Sequence, residues 1–237
     1  MGFFLLRRRS PPNGGVENRL DGQRRTFTAA HILAATGRRA NTGGLGLDVV
    51  GIATDKLGFV RVDPTLRTTH PRFYAAGDVT GPPMLVYLAA AQGKQAADNA
   101  LLAQSVPLDV GIIPSVVFTD PQVETVGLTE SQAKADGMTV RTAVVTLRHV
   151  PRALAARDTR GLIKLVVEED TGKLVGAHVL AAEAGEMIQT ATMALRARMT
   201  VRNLADTLFP YLTQVEGLKL AALAFDRDVA LLSCCAG

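Results

Sequence analysis

The spacing of apolar and polar residues changes several times along the chain. Residues 1–25 show no period: an arginine run followed by Ser10-Pro11-Pro12-Asn13-Gly14-Gly15 predicts irregular backbone. Residues 30–35 are a short apolar run stopped by Thr36 and Gly37, the pattern of a buried strand entering a tight turn. Gly43, Gly44 and Gly46 form a loop. Residues 58–63 alternate like a half-buried strand and end at Pro64, and residues 73–76 are a second apolar run closed by Gly77 and Asp78. After Pro82 and Pro83, residues 84–102 are rich in Ala, Leu and Gln and predict a long helix.

A linker is expected over residues 104–111, and beyond it the elements shorten. A strand is predicted over 112–118, a helix over 129–135 capped by Thr129 and ended by Gly137, and a strand over 140–147. Residues 161–168 and 173–180 flank Glu169-Asp170-Thr171-Gly172, a hairpin signal. Over 183–199, Met187, Ile188, Ala191, Leu195 and Met199 share one face of a predicted helix. A short helix is expected over 201–208, broken by Pro210, and a last one over 213–225. Strands and helices do not alternate as in a doubly wound sheet, so this half reads as α+β, packed separately from the first. No internal repeat is present.

Composition narrows the class. In 237 residues, 47% are hydrophobic and 20% charged, with eight Phe, three Tyr and no Trp, so a soluble globular chain with an aliphatic core is expected. No apolar run approaches the roughly 20 residues of a membrane span, and Phe3-Phe4-Leu5-Leu6 is too short for a signal core. The net charge of +4 hints at nucleic acid until it is located. Residues 1–40 hold eight Arg against Glu17 and Asp21, which leaves the rest slightly acidic. That basic stretch has no interleaved aromatics of the kind single-strand binders use, so no nucleic-acid partner is expected.

Two places carry chemistry. Asp78 ends a predicted strand just ahead of a predicted helix, where a carboxylate can meet a ligand hydroxyl and the helix dipole faces the same crevice. Taken alone, such a Gly-Asp pair is a weak signal, since most are ordinary turns. Cys234 and Cys235 are the only cysteines. Adjacent thiols reach disulfide geometry poorly but suit a soft metal ion. They read equally as two unrelated thiols at a chain end, whereas Ala236 and Gly237 make a poor prenylation box. Two cysteines at one end argue against a secreted disulfide scaffold, so a cytoplasmic chain is expected. His31, His70, His149 and His178 are scattered over different elements and read as structural or surface residues.

Combined, these motifs point to a family. Ala35-Thr36-Gly37-Arg38 with Asn41, then Tyr74-Ala75-Ala76-Gly77-Asp78, resembles the pyridine nucleotide–disulfide oxidoreductases. The stretch 114–118 running into Thr119-Asp120-Pro121, with Val126-Gly127, resembles the start of their dimerisation domain. Within the family, three stretches resemble the mercuric reductase branch: Val150-Pro151-Arg152-Ala153-Leu154-Ala155, Phe209-Pro210-Tyr211-Leu212-Thr213 with Val215-Glu216-Gly217-Leu218-Lys219-Leu220, and the terminal Leu232-Ser233-Cys234-Cys235-Ala236-Gly237. The resemblance covers residues 29–237. Disulfide-reducing members have a His where Tyr211 stands, with a Glu at the offset that Glu216 keeps. Disulfide exchange needs a group titrating near neutrality, which His supplies and Tyr, at about 10, does not.

The resemblance implies an α/β fragment of a FAD/NAD(P)-binding domain followed by an α+β dimerisation domain. The expected parts are an unmatched leader over 1–28, the end of the NADPH domain and the second FAD-binding segment over 29–105, the dimerisation domain over 110–228, and a metal-binding tail over 229–237. It implies FAD contacts at Thr36, Gly37, Gly77, Asp78 and Val86, Tyr211 and Glu216 lining the route to the reaction centre, and an Hg(II)-binding pair at Cys234 and Cys235. In that branch electrons pass from NADPH through FAD to Hg(II), and the tail serves the partner subunit, so a homodimer through residues 110–237 is expected. The first FAD fingerprint, the NADPH fingerprint and the redox Cys pair are not found in these residues. The chain therefore reads as a C-terminal portion, with residues 110–237 expected to fold and dimerise and 29–105 to be unstable alone. A non-catalytic Hg(II)-binding dimerisation module, or part of a dihydrolipoamide dehydrogenase-like flavoprotein, is the alternative.

Overall fold

The computed structural model describes residues 13–17, 24–28, 31, 33, 35, 37–102, 104–109 and 111–231. The chain divides into two compact units, Met1–Leu108 and Asp109–Gly237.

In the first unit, β1 (Asn13–Glu17) and β2 (Arg24–Thr28) pair antiparallel, from Asn13 opposite Thr28 to Glu17 opposite Arg24. At residues 13–17 and 24–25, part of the stretch expected to be irregular, strand forms instead. Glycine weakens a strand without forbidding it, and the partner strand supplies Thr26, Phe27 and Thr28, all strand formers. Residues 58–63 also depart from expectation. They hold only isolated bridges, Thr54 to Val60 and Val62 to Thr68. Aspartate-centred turns set this path. Asp55 Oδ1 accepts from the Leu57 and Phe59 amides at 2.8 and 2.9 Å, and Asp63 Oδ1 accepts from the Thr65 amide at 2.8 Å. The alternation still reports burial, since Phe59 and Val60 are in the core.

The predicted long helix forms as α1 (Val86–Leu101), behind a 3-10 turn at Gly77–Thr80. Leu88, Ala96 and Asn99 are its buried residues. Asn99 Nδ2 donates to the Thr65 and Val106 carbonyls at 2.9 Å each, and its Oδ1 accepts from the Val106 amide at 3.1 Å. One buried amide thus ties two loops to the helix, and replacing it would strand three backbone groups.

The second unit is a five-stranded antiparallel sheet with helices. In chain order it comprises β3 (Ser115–Val117), β4 (Gln122–Gly127), α2 (Glu130–Ala135), β5 (Val140–Thr146), α3 (Pro151–Ala155), β6 (Leu162–Glu168), β7 (Leu174–Ala181), α4 (Ala184–Arg196), α5 (Val201–Asp206) and α6 (Glu216–Leu223). The strand order is β3-β4-β7-β6-β5. The β6–β7 hairpin forms where its turn residues predict it, with a register shift at Val166/Val167. Thr129 and Thr200 each close a capping box, at the starts of α2 and α5.

The core lies where helices meet strands. Ile163, Leu165 and Val167 of β6 and Ala177, Val179 and Ala181 of β7 alternate onto one face. Met187, Ile188, Ala191 and Leu195 of α4 and Leu218 of α6 join the same cluster. Gly217 lets α6 approach. A Cβ there would fall inside contact distance of Ile163 Cδ1 and 3.2 Å from Val150 Cγ2.

Candidate functional site

In the first unit the geometry converges on Asp78. Gly77 takes φ +80°, which favours glycine, and its amide donates to Gln92 Oε1 of α1 at 2.7 Å. The Thr80 hydroxyl donates to the Gly77 carbonyl at 2.9 Å, and the Val60 amide donates to the Val79 carbonyl at 2.9 Å. The turn bearing Asp78 is thereby held from both sides. Arg38 Nη1 reaches Asp78 Oδ2 at 2.5 Å. A shallow cleft of about 290 Å³ is lined by Arg38, Arg39, Ala40, Asn41, Asp78, Val79 and Met84.

The segment after Gly37 and the Gly77-Asp78 turn are thus brought together. Gly37 itself is exposed at φ +106°, and Thr36 lies outside the described residues. Val86, the first residue of α1, is 87% exposed. Its N-cap, Leu85, makes no side-chain cap. Arg38 and Gln92 were given no role by the sequence argument. Arg38 stood inside the Thr-Gly-Arg motif, but nothing in the pattern told which carboxylate it meets. Gln92 is one polar residue of a helix whose packing face is visible only once Gly77 is placed.

In the second unit, Tyr211 and Glu216 bracket the loop into α6. The Thr213 hydroxyl donates to the Pro210 carbonyl at 2.8 Å, and the Gly217 amide donates to the Gln214 carbonyl at 3.0 Å, which winds the first turn. Tyr211 is 58% exposed and Glu216 only 8%. Glu216 Oε2 and Gln214 Oε1 are both buried without a hydrogen-bond partner. Two unsatisfied acceptors at one helix start make a spot that can receive a donor from outside. Gln214 was not singled out from the sequence, where it is one more polar residue in a loop. Cys234 and Cys235 lie outside the described residues. Among the described residues no cluster of His, Cys, Asp and Glu is arranged to hold a metal ion.

Glu124 is the second buried acid. It is 0% exposed on β4, with neither carboxylate oxygen partnered. Burial, reinforced by Glu186, pushes its carboxyl up to about 7. Gly185 at the start of α4 makes room for it, since a Cβ there would come within 3.1 Å of Glu124 Oε1.

Comparison with known proteins agrees with this division. The family model for the pyridine nucleotide-disulphide oxidoreductases matches residues 8–93, and that for their dimerisation domain matches residues 113–222. The first match reaches back into residues that no motif had placed. The mercuric reductases of Shigella flexneri and Streptomyces lividans are each 54% identical over 88% of this chain, covering 37% and 44% of their own lengths. That of Staphylococcus aureus is 48% identical over 92% of the chain and 40% of its own length. The chain therefore spans about two-fifths of the relatives it matches. Among solved structures, LpdA from Mycobacterium tuberculosis superposes with a TM-score of 0.78 at 33% identity, over 94% of this chain and 48% of that one. The flavoprotein disulfide reductase RclA from Escherichia coli gives 0.77 at 28% identity, over 88% and 47%. The matched dimerisation domain supports a homodimer, and no helix among the described residues is long and apolar enough to cross a membrane. A glycine-held carboxylate at the foot of a helix in one unit, followed by a separate α+β unit that matches the dimerisation domain, places this chain in the pyridine nucleotide–disulphide oxidoreductase family.

Proposed function

We propose that the chain serves the reduction of Hg(II) to Hg(0) with NADPH, contributing a flavin-holding segment, the dimerisation domain and an Hg(II)-binding tail. The observation that carries this reading is the 54% identity to mercuric reductases over 88% of the chain. Tyr211 supports it, because a tyrosine at this position disfavours thiol–disulfide exchange while leaving delivery of electrons to a thiolate-held metal untouched.

The residues around Asp78 fit FAD. Gly77 turns where a side chain would strain the backbone, and the carboxylate lines an open cleft ahead of α1. Bound there, the flavin would pass the electron pair of NADPH on to Hg(II). Thr36, Gly37, Gly77, Asp78 and Val86 are the residues that would hold the flavin, with the Asp78 carboxylate available to accept from a ligand hydroxyl. Arg38 aims the Asp78 carboxylate. Cys234 and Cys235 hold Hg(II) as two soft thiolates and release it by ligand exchange. Tyr211 and Glu216 line its path. The cytoplasm, where thiols stay reduced, is the compartment that suits this chemistry.

Titrating Hg(II) into the reduced chain tests the reading, with Cys234→Ala/Cys235→Ala as the comparison. Wild type is expected to retain about one Hg(II) per chain against a monothiol competitor, as two-thiolate coordination allows. The double variant should retain none. Equal retention by both proteins overturns the assignment.

A further inference from the structure

Glu124 belongs to a row of inward-facing residues that runs straight across the sheet. Val179 of β7 stands opposite Glu124, Ile163 of β6 opposite Val179, and Val145 of β5 opposite Ile163. Neighbouring strands lie about 4.8 Å apart, so the backbone bearing the acid is about 10 Å from that of Ile163. Two helices rest on this row. Gly185, in the first turn of α4, packs on Glu124, and its amide donates to Gln122 Oε1 at 3.2 Å. Gly217, in the first turn of α6, packs on Ile163, and a Cβ there would stand 3.7 Å from Met187 Cε. Met187 follows Gly185 by two residues on α4. One turn of α4 therefore touches the buried acid on one side. On the other it touches the start of α6, where Glu216 Oε2 and Gln214 Oε1 lack partners.

The surroundings of Glu124 suit a neutral acid and offer an ionised one nothing. β3 places Val116 beside it and β7 places Val179, while β4 adds the neutral amide of Gln122. α4 adds Glu186, whose charge repels a second one, and Glu183 at its N-cap is exposed. Among the described residues no cation faces the carboxyl, and neither of its oxygens has a partner. An ionised carboxylate must reach water or donors. The element that can yield is the first turn of α4, which has no side-chain cap and which Gln122 ties to the sheet. We propose that Glu124 is a proton-operated latch: protonated, it lets the first turn of α4 lie on the sheet, and ionised, it lifts that turn and, through Met187, loosens the start of α6. Only the bearing of this latch on Hg(II) rests on the reading that Tyr211 and Glu216 line the metal's path. Opening returns the carboxyl to its ordinary range, so the open fraction rises with pH and levels off above about 7.

Hydrogen exchange of the full chain, followed peptide by peptide, reads the latch. Glu124→Gln serves as the reference, so that the intrinsic pH dependence of exchange cancels. Between pH 6 and pH 8 the wild-type rate relative to the variant should rise about tenfold over residues 184–188 and 214–218. Low urea should leave both rates unchanged while speeding exchange in β6, because a local opening exposes little surface. Glu186→Gln should move the levelling-off to lower pH, since it removes the repelling charge. Met187→Ala should keep the response over 184–188 and abolish it over 214–218. If Met187→Ala loses its cooperative unfolding transition, Met187→Val is read by the same criterion. A relative rate that stays constant with pH overturns the proposal, as does a response over 184–188 that urea accelerates as much as in β6. A wild-type response confined to 184–188 overturns the coupling to α6. No Hg(II) is present, so failure of the latch and failure of the metal reading are seen separately.

Discussion

A carboxylate enclosed without a partner is a proton-binding site, and Glu124 is one. Its carboxyl is raised from 4.5 to about 7, first by burial and then by Glu186, so the folded chain holds a proton that the unfolded chain gives up. Its contribution to stability is therefore complete below about 4.5 and is lost as pH rises through about 7. His178 runs the other way, because burial lowers its pKa and favours the neutral ring as pH rises. Comparison with Glu124→Gln isolates the carboxyl. Urea unfolding should show the variant gaining on wild type by about 2 kcal/mol between pH 5 and pH 8. A constant difference across that range would show that Glu124 is solvated. The same residue explains a blind spot in the sequence. In Gln122-Val123-Glu124-Thr125-Val126 an acid occupies an inward position of a strand, so the alternation that announces β5 and β6 is broken and β4 passes unnoticed.

Elements were legible where local chemistry decides them. Thr129 marked the start of α2, and Glu169-Asp170-Thr171-Gly172 marked the β6–β7 turn, because capping and turning are settled within a few residues. Thr129→Ala should cost about 1 kcal/mol in chemical denaturation, and Thr200→Ala about the same for α5. What could not be read was tertiary in origin. The β1–β2 ladder needs its two strands to meet, and the Asp55 and Asp63 turns convert an alternating stretch into bridges. Gly217 shows the same limit at an element's surface. Its helical position invites alanine, which is worth about 1 kcal/mol by propensity. The contacts with Ile163 and Val150 oppose it, and overpacking costs about 1–3 kcal/mol. Gly217→Ala should therefore lower the melting temperature, and a rise would show that α6 has room to shift. Of the site residues, Gly77 and Asp78 could be found by motif, whereas Arg38, Gln92 and Gln214 become visible only through their neighbours in space.

The two units are unequally built. Every residue of the large hydrophobic cluster belongs to the second. Among the described residues, the first unit buries only Ile52, Phe59, Val60, Leu66, Leu88 and Ala96 as apolar core. So small a core is marginal against the entropy of ordering a hundred-residue chain. Residues 109–237 expressed alone should unfold in one cooperative transition and sediment as a dimer, while residues 1–108 should show no sigmoidal transition in urea. A cooperative transition in the shorter piece would show that its polar ties, Asn99 above all, carry more than its core. The strand order also has a consequence in time. β4 lies beside β7, with Gly127 opposite Gly176, although β5 and β6 intervene in the chain. On a ribosome β3 and β4 emerge long before their neighbour exists, and a lone two-stranded hairpin is marginal in water. Glu124 stays wet and ionised through that interval. Below about 7 it takes up a proton as β7 and α4 close over it, so closing the sheet is the step of folding that consumes a proton and that rising pH disfavours.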